Sequence, residues 1–141
     1  MPQLDNYLFF DGNCAEAMRF YEKTLGGKLD ALLKYSDSPD QSGCPPGSAD
    51  RIMHAHMVLE GGANLMASDW AAPTPYEGMK GFAVSLFYEK PAEAKRAFEA
   101  LAQGGHVILP MDKTFWSEAF GMLVDRFGTP WMVGGGHQAK P

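Results

Sequence analysis

An eight-residue segment occurs twice in this chain, and no other feature of the sequence constrains the fold as strongly. AEAMRFYE at residues 15–22 recurs as AEAKRAFE at residues 92–99, with the same Ala, Glu, Ala, Arg and final Glu. Paired glycines follow each copy, Gly26-Gly27 and Gly104-Gly105. Glycine readily adopts the left-handed conformation that closes many helices, so both segments are predicted to be helices that end at these pairs. The chain is therefore predicted to contain an internal repeat.

Strand-like segments flank both predicted helices in the same order. NYLFF and GFAVSLFY precede them, and KLDALLKY and HVILP follow them. Two further segments then complete each half, RIMHAHMVL and ANLMAS in the first, AFGMLVD and TPWMVGG in the second. All are rich in the aromatic, aliphatic and β-branched residues of strands, and glycine-containing turns separate them. The sequence predicts an α+β fold with two βαβββ modules.

The predicted organisation is a single domain over residues 1–141. The first module covers about residues 1–70, a Pro-rich linker about 71–80, the second module about 81–135, and a frayed tail 136–141. A long irregular loop at residues 36–50 interrupts the first module. Loops of this length are usually lids, partner contacts or disordered segments, and the sequence does not decide between these roles.

The helix starts carry capping signals. Asn13 is predicted to cap the first helix with its side chain, since Glu16 lies three residues further on, where a reciprocal bond can form. Pro91 is predicted in the first turn of the second helix, where its missing N–H costs nothing. Cys14 begins an apolar stripe at helical spacing, which predicts a buried position for its thiol. A disulfide between Cys14 and Cys44 is not expected.

Charge and hydropathy exclude several classes of function. The chain has 12 basic and 17 acidic residues, a net charge of −5, and no basic run, so nucleic-acid binding is not expected. No apolar segment approaches the roughly 20 residues of a membrane span, and no signal peptide is recognisable at the N-terminus. We expect a cytoplasmic protein that contacts neither nucleic acid nor membrane.

The duplicated modules and several motifs resemble the vicinal oxygen chelate superfamily, which includes glyoxalase I, extradiol dioxygenases and the bleomycin and fosfomycin resistance proteins. The motifs are AMRFYEKTLGG, IMHAHM, LMASD and FWSEAFGMLVDRFGTPW, and read together they are similar to the PhnB-like branch. The resemblance implies that the two modules form a cupped mixed sheet around a site. It also implies a homodimer.

Metal enzymes of this superfamily hold their ion on the first and fourth strands of each module. The resemblance maps those positions to Tyr7, Met66, Phe82 and Met132. Phenol, thioether and phenyl groups are not the usual ligands of a divalent cation, which binds imidazole and carboxylate groups. We therefore expect no metal and no cofactor. A glycine-rich strand-to-helix turn for a nucleotide-like cofactor is also absent from the sequence.

His54 and His56 are the main argument for a metal. Two residues apart on a predicted strand, they share one face of the sheet. A third ligand would come from Asp69, Glu118 or Asp125. The alternatives are structural histidines that hydrogen-bond within the sheet, or a general acid/base that orients a ligand.

The sequence indicates that the cup binds a small apolar or aromatic molecule. Alternation on the last strand predicts Met132 towards the cup and Trp131 with Val133 on the opposite face. Two alternatives remain, a metal-dependent lyase, isomerase or dioxygenase of the glyoxalase type and a non-catalytic dimeric interaction module. The candidate ligand-binding residues are Tyr7, His54, His56, Met66, Phe82, Trp116, Glu118 and Met132.

Overall fold

The computed structural model describes residues 1–40 and 42–137 and contains the predicted elements in the predicted order. The first module consists of β1 (Asn6–Phe10), α1 (Cys14–Leu25), β2 (Lys28–Lys34), a 3₁₀ turn (Tyr35–Asp37), β3 (Ile52–Val58) and β4 (Asn64–Asp69). The second consists of β5 (Val84–Tyr88), α2 (Pro91–Ala102), β6 (His106–Asp112), β7 (Ser117–Val124) and β8 (Pro130–His137). The repeated βαβββ module is confirmed.

Each module forms its own four-stranded mixed sheet. The strand orders are β1-β4-β3-β2 and β5-β8-β7-β6. In both sheets the first strand pairs in parallel with the last, and the other pairs are antiparallel. The chain divides into two compact units after Gly78. The α+β class is thereby confirmed, and the two copies share one topology.

In the first module, alternate residues of the sheet pack against α1. Side chains on successive strand positions point to opposite faces, so one face can be buried while the other stays open. The opposite face, which carries Tyr7 and Phe9, is more exposed, and we call it the open face. The buried face and its helix supply the core residues Leu8, Phe10, Cys14, Ala17, Met18, Tyr21, Ala55, Met57, Leu65 and Ala67.

The second module repeats this division. Trp131 and Val133 are buried and Met132 is less so, as the predicted alternation on β8 requires. The indole Nε1 of Trp131 donates to Asp125 Oδ2 at 2.8 Å, which satisfies its polar atom inside the core. The remaining buried apolar residues of this module are Val84, Ala94, Ala97, Phe98, Leu101, Ala119 and Leu123.

The buried carboxylate of Asp69 joins three parts of the first module. Its Oδ1 accepts from the backbone N–H of Gly12 at 2.9 Å and of Cys14 at 3.0 Å, and its Oδ2 accepts from Ile52 at 2.8 Å. The predicted cap by Asn13 is wrong, because the Asn13 side chain makes no capping bond. A carboxylate forms stronger bonds than a neutral amide and suits the positive end of a helix.

The second module attaches its helix differently. Gly135 pairs with Tyr88 as Asp69 pairs with Phe10, so it occupies the corresponding position. A Cβ on Gly135 would lie 2.6 Å from the Cβ of Ala94 and 3.0 Å from the carbonyl oxygen of Lys90. The first turn of α2 therefore packs directly on the strand, and only glycine leaves room for it.

Some element ends differ from the prediction. Gly26 closes α1 in the left-handed conformation, as expected, with φ 73°. In α2 the capping position is the extended Gln103, and Gly104 takes its left-handed conformation one residue later. Strand β8 continues through His137, two residues into the predicted tail, whose residues 138–141 lie outside the described part of the chain. Pro91 begins α2 as predicted.

No helix within residues 1–40 and 42–137 is long and apolar enough to cross a membrane.

The Asp69→Asn variant tests the role of the carboxylate. The amide NH₂ replaces one acceptor oxygen, so at least one buried backbone N–H then faces a donor. We expect the free energy of unfolding to fall by about 2 kcal/mol, measured by urea denaturation. Asp50→Asn, at an exposed loop position, is the control and should change it by less than about 0.5 kcal/mol. Equal stability of both variants would contradict this assignment.

Candidate functional site

The open face of the first module brings together four of the predicted site residues. Tyr7 on β1 pairs with Met66 on β4, and Met66 pairs with His56 on β3. His54 lies two residues before His56 and therefore on the same face. The prediction that both histidines share one face is confirmed, and that face also carries Tyr7 and Met66.

Aromatic rings form a partly exposed row across this face. The Tyr7 hydroxyl lies 3.3 Å from His54 Nδ1, and the centroids of the two rings are 5.9 Å apart. Tyr7 is 5.2 Å from the ring of Phe9, which meets Trp70 edge-on at 5.3 Å. Tyr7 and Phe9 remain 39% and 42% exposed. Within the part of the chain that the structure describes, His54 Nε2 has no protein partner.

His56 has polar partners at both ring nitrogens. Nδ1 lies 2.6 Å from Asp30 Oδ1, and Nε2 lies 2.8 Å from Asn64 Oδ1. The Asn64 amide nitrogen donates to Asp5 at 3.3 Å, which fixes the amide oxygen towards His56. The hydrogen bond to Asn64 is the main cause that raises the pKa of His56. Burial opposes this shift, whereas the charge and hydrogen bond of Asp30 and the charge of Asp5 add to it. These contacts favour the imidazolium form, which donates from both nitrogens.

The candidate metal ligands do not form a site that fits a divalent cation. His56 uses both of its nitrogens, and Asp69 uses both of its oxygens for backbone N–H groups. Asp125 accepts from the backbone N–H groups of Phe127 at 2.9 Å and Thr129 at 3.0 Å and from the indole of Trp131. Among residues 1–40 and 42–137, no three His, Cys, Asp or Glu side chains come close enough to hold a metal. The metal set of His54, His56 and a carboxylate is not assembled within the first module.

Phe82 does not lie on the fifth strand, so its predicted placement on that strand is wrong. Strand β5 begins at Val84, and Phe82 lies before it with 47% exposure. Ser85 pairs with Met132 as Tyr7 pairs with Met66, so Ser85 is the counterpart of Tyr7. The start of β5 could not be located within the segment GFAVSLFY, because all of this segment favours a strand and strand propensity does not show where the first inter-strand hydrogen bond forms. A hydroxyl and a thioether also make a poor pair of metal ligands.

The second module also has aromatic rings on the face of its sheet that carries Met132, which we call the open face of the second module. Phe87 pairs with Gly134, and Gly134 pairs with Phe120, so both rings flank a residue without a side chain. Trp116, 43% exposed, meets Phe120 edge-on at 5.5 Å. Glu118, predicted as a ligand contact, is exposed on the same face of β7 as Phe120. The structure therefore brings Trp116 and Glu118 to one face, which Met132 shares.

Several residues of the two open faces were absent from the sequence prediction. Phe9 could have been found, because NYLFF alternates and places it on the face of Tyr7. Asp30 and Asn64 could not, because their contact with His56 depends on the register between strands. The strand pairing of Phe87 and Phe120 through Gly134 depends on register in the same way.

Both cysteines are free thiols, and Cys14 is fully buried, as predicted. Burial raises the pKa of the Cys14 thiol, and the neighbouring charge of Asp69 adds to the effect. The thiolate is the nucleophilic form of cysteine, so this environment opposes a catalytic role for Cys14.

The raised pKa of His56 predicts how the stability of the fold depends on pH. A group whose pKa is higher in the folded state stabilises the fold fully below its unfolded pKa of about 6.5, and this contribution disappears as the pH rises through the folded pKa. The wild-type chain should therefore exceed His56→Gln in melting temperature by more at about pH 5.5 than at about pH 8.5. His106→Gln, at an exposed histidine of β6, is the matched control. A His56→Gln difference that grows at high pH would be the opposite of this expectation.

Comparisons with known proteins agree with the fold and the motifs. The model of the glyoxalase/bleomycin resistance protein/dioxygenase superfamily matches residues 3–133. Protein YjdN of Escherichia coli strain K12 is 35% identical over 94% of both chains. Protein PA1353 of Pseudomonas aeruginosa is 47% identical with a TM-score of 0.88, covering 96% of this chain and 98% of that one. A PhnB protein of Bacillus cereus is 25% identical with a TM-score of 0.77, covering 95% and 99%. The chain belongs to the glyoxalase/bleomycin resistance protein/dioxygenase superfamily.

Proposed function

We propose that the open face of the first module binds a small aromatic or apolar molecule without a catalytic metal. The observation that carries this proposal is the partly exposed row of Tyr7 and Phe9 beside His54, whose Nε2 is free of protein partners in the described residues. Exposed rings on a sheet face provide apolar area for stacking. The Met66 thioether adds a soft, adaptable surface beside them.

His54 supplies the orienting polar group of this site. When the Tyr7 hydroxyl donates to Nδ1, the neutral imidazole carries its proton on Nε2. That N–H can then donate to an oxygen of the ligand. An aromatic molecule that carries a hydroxyl or carbonyl group therefore fits the face better than a hydrocarbon. The same pair of side chains also has the groups needed for proton transfer to a bound ligand.

His56 has a supporting role in this proposal. Its contacts with Asp30 and Asn64 hold the ring between β2 and β4, so it fixes the strand beside His54 instead of meeting the ligand. The second module offers a similar set of groups, in which Trp116, Glu118 and Met132 lie near Phe87 and Phe120. We extend ligand binding to that face, with Ser85 taking the place predicted for Phe82.

Binding of p-cresol tests the proposal, with toluene as the partner probe that lacks the hydroxyl. In buffer with EDTA, saturation-transfer NMR should detect p-cresol on the wild-type chain. His54→Ala should weaken p-cresol binding about tenfold through loss of one hydrogen bond and leave toluene binding unchanged. Tyr7→Ala should weaken both probes.

The matched control is His106→Ala, which removes an imidazole at an exposed position of β6. It should leave both probes unaffected. Binding that appears only after Zn²⁺, Ni²⁺ or Mn²⁺ is added would favour the metal-dependent alternative instead. An equal effect of His54→Ala and His106→Ala would count against the role given to His54.

We also propose that the chain forms a homodimer, through β6. This edge strand of the second sheet exposes three consecutive apolar residues, Val107, Ile108 and Leu109, at 44%, 54% and 43%. An apolar strand edge with unpaired backbone groups is suited to pairing with another chain. This observation also supports the alternative of a dimeric interaction module. A cytoplasmic location stays a prediction of the sequence.

Ile108→Lys tests this surface. A lysine in the middle of the edge should convert the dimer to a monomer, measured by size-exclusion chromatography with light scattering. Leu33→Lys is the matched control, because Leu33 is a 43% exposed apolar residue on β2, the edge strand of the first sheet. That variant should remain dimeric. A monomeric wild-type chain, or a dimer that survives Ile108→Lys, would contradict the proposal.

A further inference from the structure

A cavity of about 310 Å³ lies in the first module, between the long loop and the segment that follows β4. Its lining includes Asp11, Pro45, Pro46, Arg51, Trp70 and Tyr76. Tyr7, His54, His56 and Met66 do not line it, so it differs from the ligand face proposed above. Its volume is at the lower end of the range for small-molecule sites, which favours a ligand the size of an amino acid.

Hydrogen bonds hold the loop side of the cavity in place. The backbone N–H of Tyr35 donates to the carbonyl of Arg51 at 3.0 Å, and that of Ser36 donates to Ala49 at 3.1 Å. Arg51 donates its own N–H to Ser48 at 2.8 Å. The described part of the loop at residues 36–50, which excludes Gln41, is thus tied to the start of β3 beside Arg51.

The aromatic side of the cavity is held in the same way. Trp70 donates its indole N–H to the carbonyl of Thr74 at 2.7 Å, and Tyr76 donates its hydroxyl to the carbonyl of Phe9 at 2.7 Å. Burial raises the pKa of Tyr76, and the charge of Asp11 adds to it. The hydroxyl therefore stays protonated, and this bond is kept across the neutral pH range.

An ion pair supplies the charges of the cavity lining. Arg51 Nη2 lies 3.0 Å from Asp11 Oδ1, and Nη1 donates to the carbonyl of Trp70 at 2.8 Å. The two side chains are 33% and 58% exposed. Among the described residues, the other guanidinium N–H groups and Asp11 Oδ2 have no protein partners. The lining thus retains N–H donors and a carboxylate acceptor beside each other.

We propose that this cavity binds a zwitterionic amino acid. Its carboxylate would accept from the remaining N–H groups of Arg51, and its ammonium group would donate to Asp11. A simple anion would be repelled by Asp11 and a simple cation by Arg51, whereas a zwitterion satisfies both charges. Trp70 and Tyr76 line the cavity beside this ion pair.

Three related probes test the charge requirement. L-leucine carries both charges, 4-methylpentanoate lacks the ammonium group, and 3-methylbutylamine lacks the carboxylate. By isothermal titration calorimetry, leucine should bind the full chain at least about tenfold more tightly than either analogue, since each analogue leaves one charged partner unmatched. Leucine that binds no better than the analogues would overturn the proposal.

Two variants separate the charges from the cavity itself. Asp11→Asn should weaken leucine binding and strengthen 4-methylpentanoate binding, a reversal that misfolding cannot produce. Ala71→Phe fills the cavity while it leaves the ion pair intact, and it should abolish leucine binding without loss of far-UV circular dichroism. Unchanged leucine affinity in either variant would contradict the site.

Two controls locate the effect. Arg19→Gln removes an exposed arginine of α1 outside the cavity lining and should leave leucine affinity unchanged. His54→Ala, which tests the separate ligand face and leaves the contact between Tyr7 and Phe9 in place, should also leave it unchanged. Loss of leucine binding in His54→Ala would move the amino acid to the open face and overturn the assignment to the cavity.

Discussion

The carboxylate of Asp69 is the interaction on which the first module depends. From the end of β4, it accepts hydrogen bonds from the turn before α1, the start of α1 and the start of β3. These bonds fix the helix against one face of the sheet. That face becomes the core, and the opposite face is left for the rings of Tyr7 and Phe9. A buried charge is tolerated here because three backbone N–H groups compensate for the loss of water.

Both modules hold their helix against one face of the sheet, but they do so in opposite ways. The first brings an acceptor to the helix, and the second removes a side chain at Gly135 so that α2 lies directly on its strand. This difference shows that the repeat preserves a topology and the placement of its helix, not a set of contacts. The open faces have diverged in the same way. Tyr7 and His54 dominate one face, whereas Phe87 and Phe120 flank a glycine on the other.

The sequence was sufficient to predict the order of the helices and strands, because the paired glycines and the strand alternation are local signals that the repeat presents twice. It also placed His54 and His56 on one face of a strand, and the family resemblance placed Tyr7 and Met66 on the neighbouring strands. The prediction for Asn13 failed because the carboxylate of Asp69, 56 positions further along the chain, accepts the hydrogen bond from the start of α1. The prediction for Phe82 failed because an aromatic residue just before a strand has the same local signal as one within it. The partners of His56 and the cavity beside Arg51 arise from register and loop packing, for which no local pattern exists.

Phe9 connects the two sites proposed for the first module. Its ring lies in the row on the open face and touches Trp70, while its carbonyl accepts the hydroxyl of Tyr76. Trp70 and Tyr76 in turn line the cavity. If a ligand at one of these proposed sites displaced Phe9, the geometry of the other would change, and the two binding equilibria would be coupled through a single residue. Thermodynamic linkage would then require each ligand to alter the affinity of the other by the same factor.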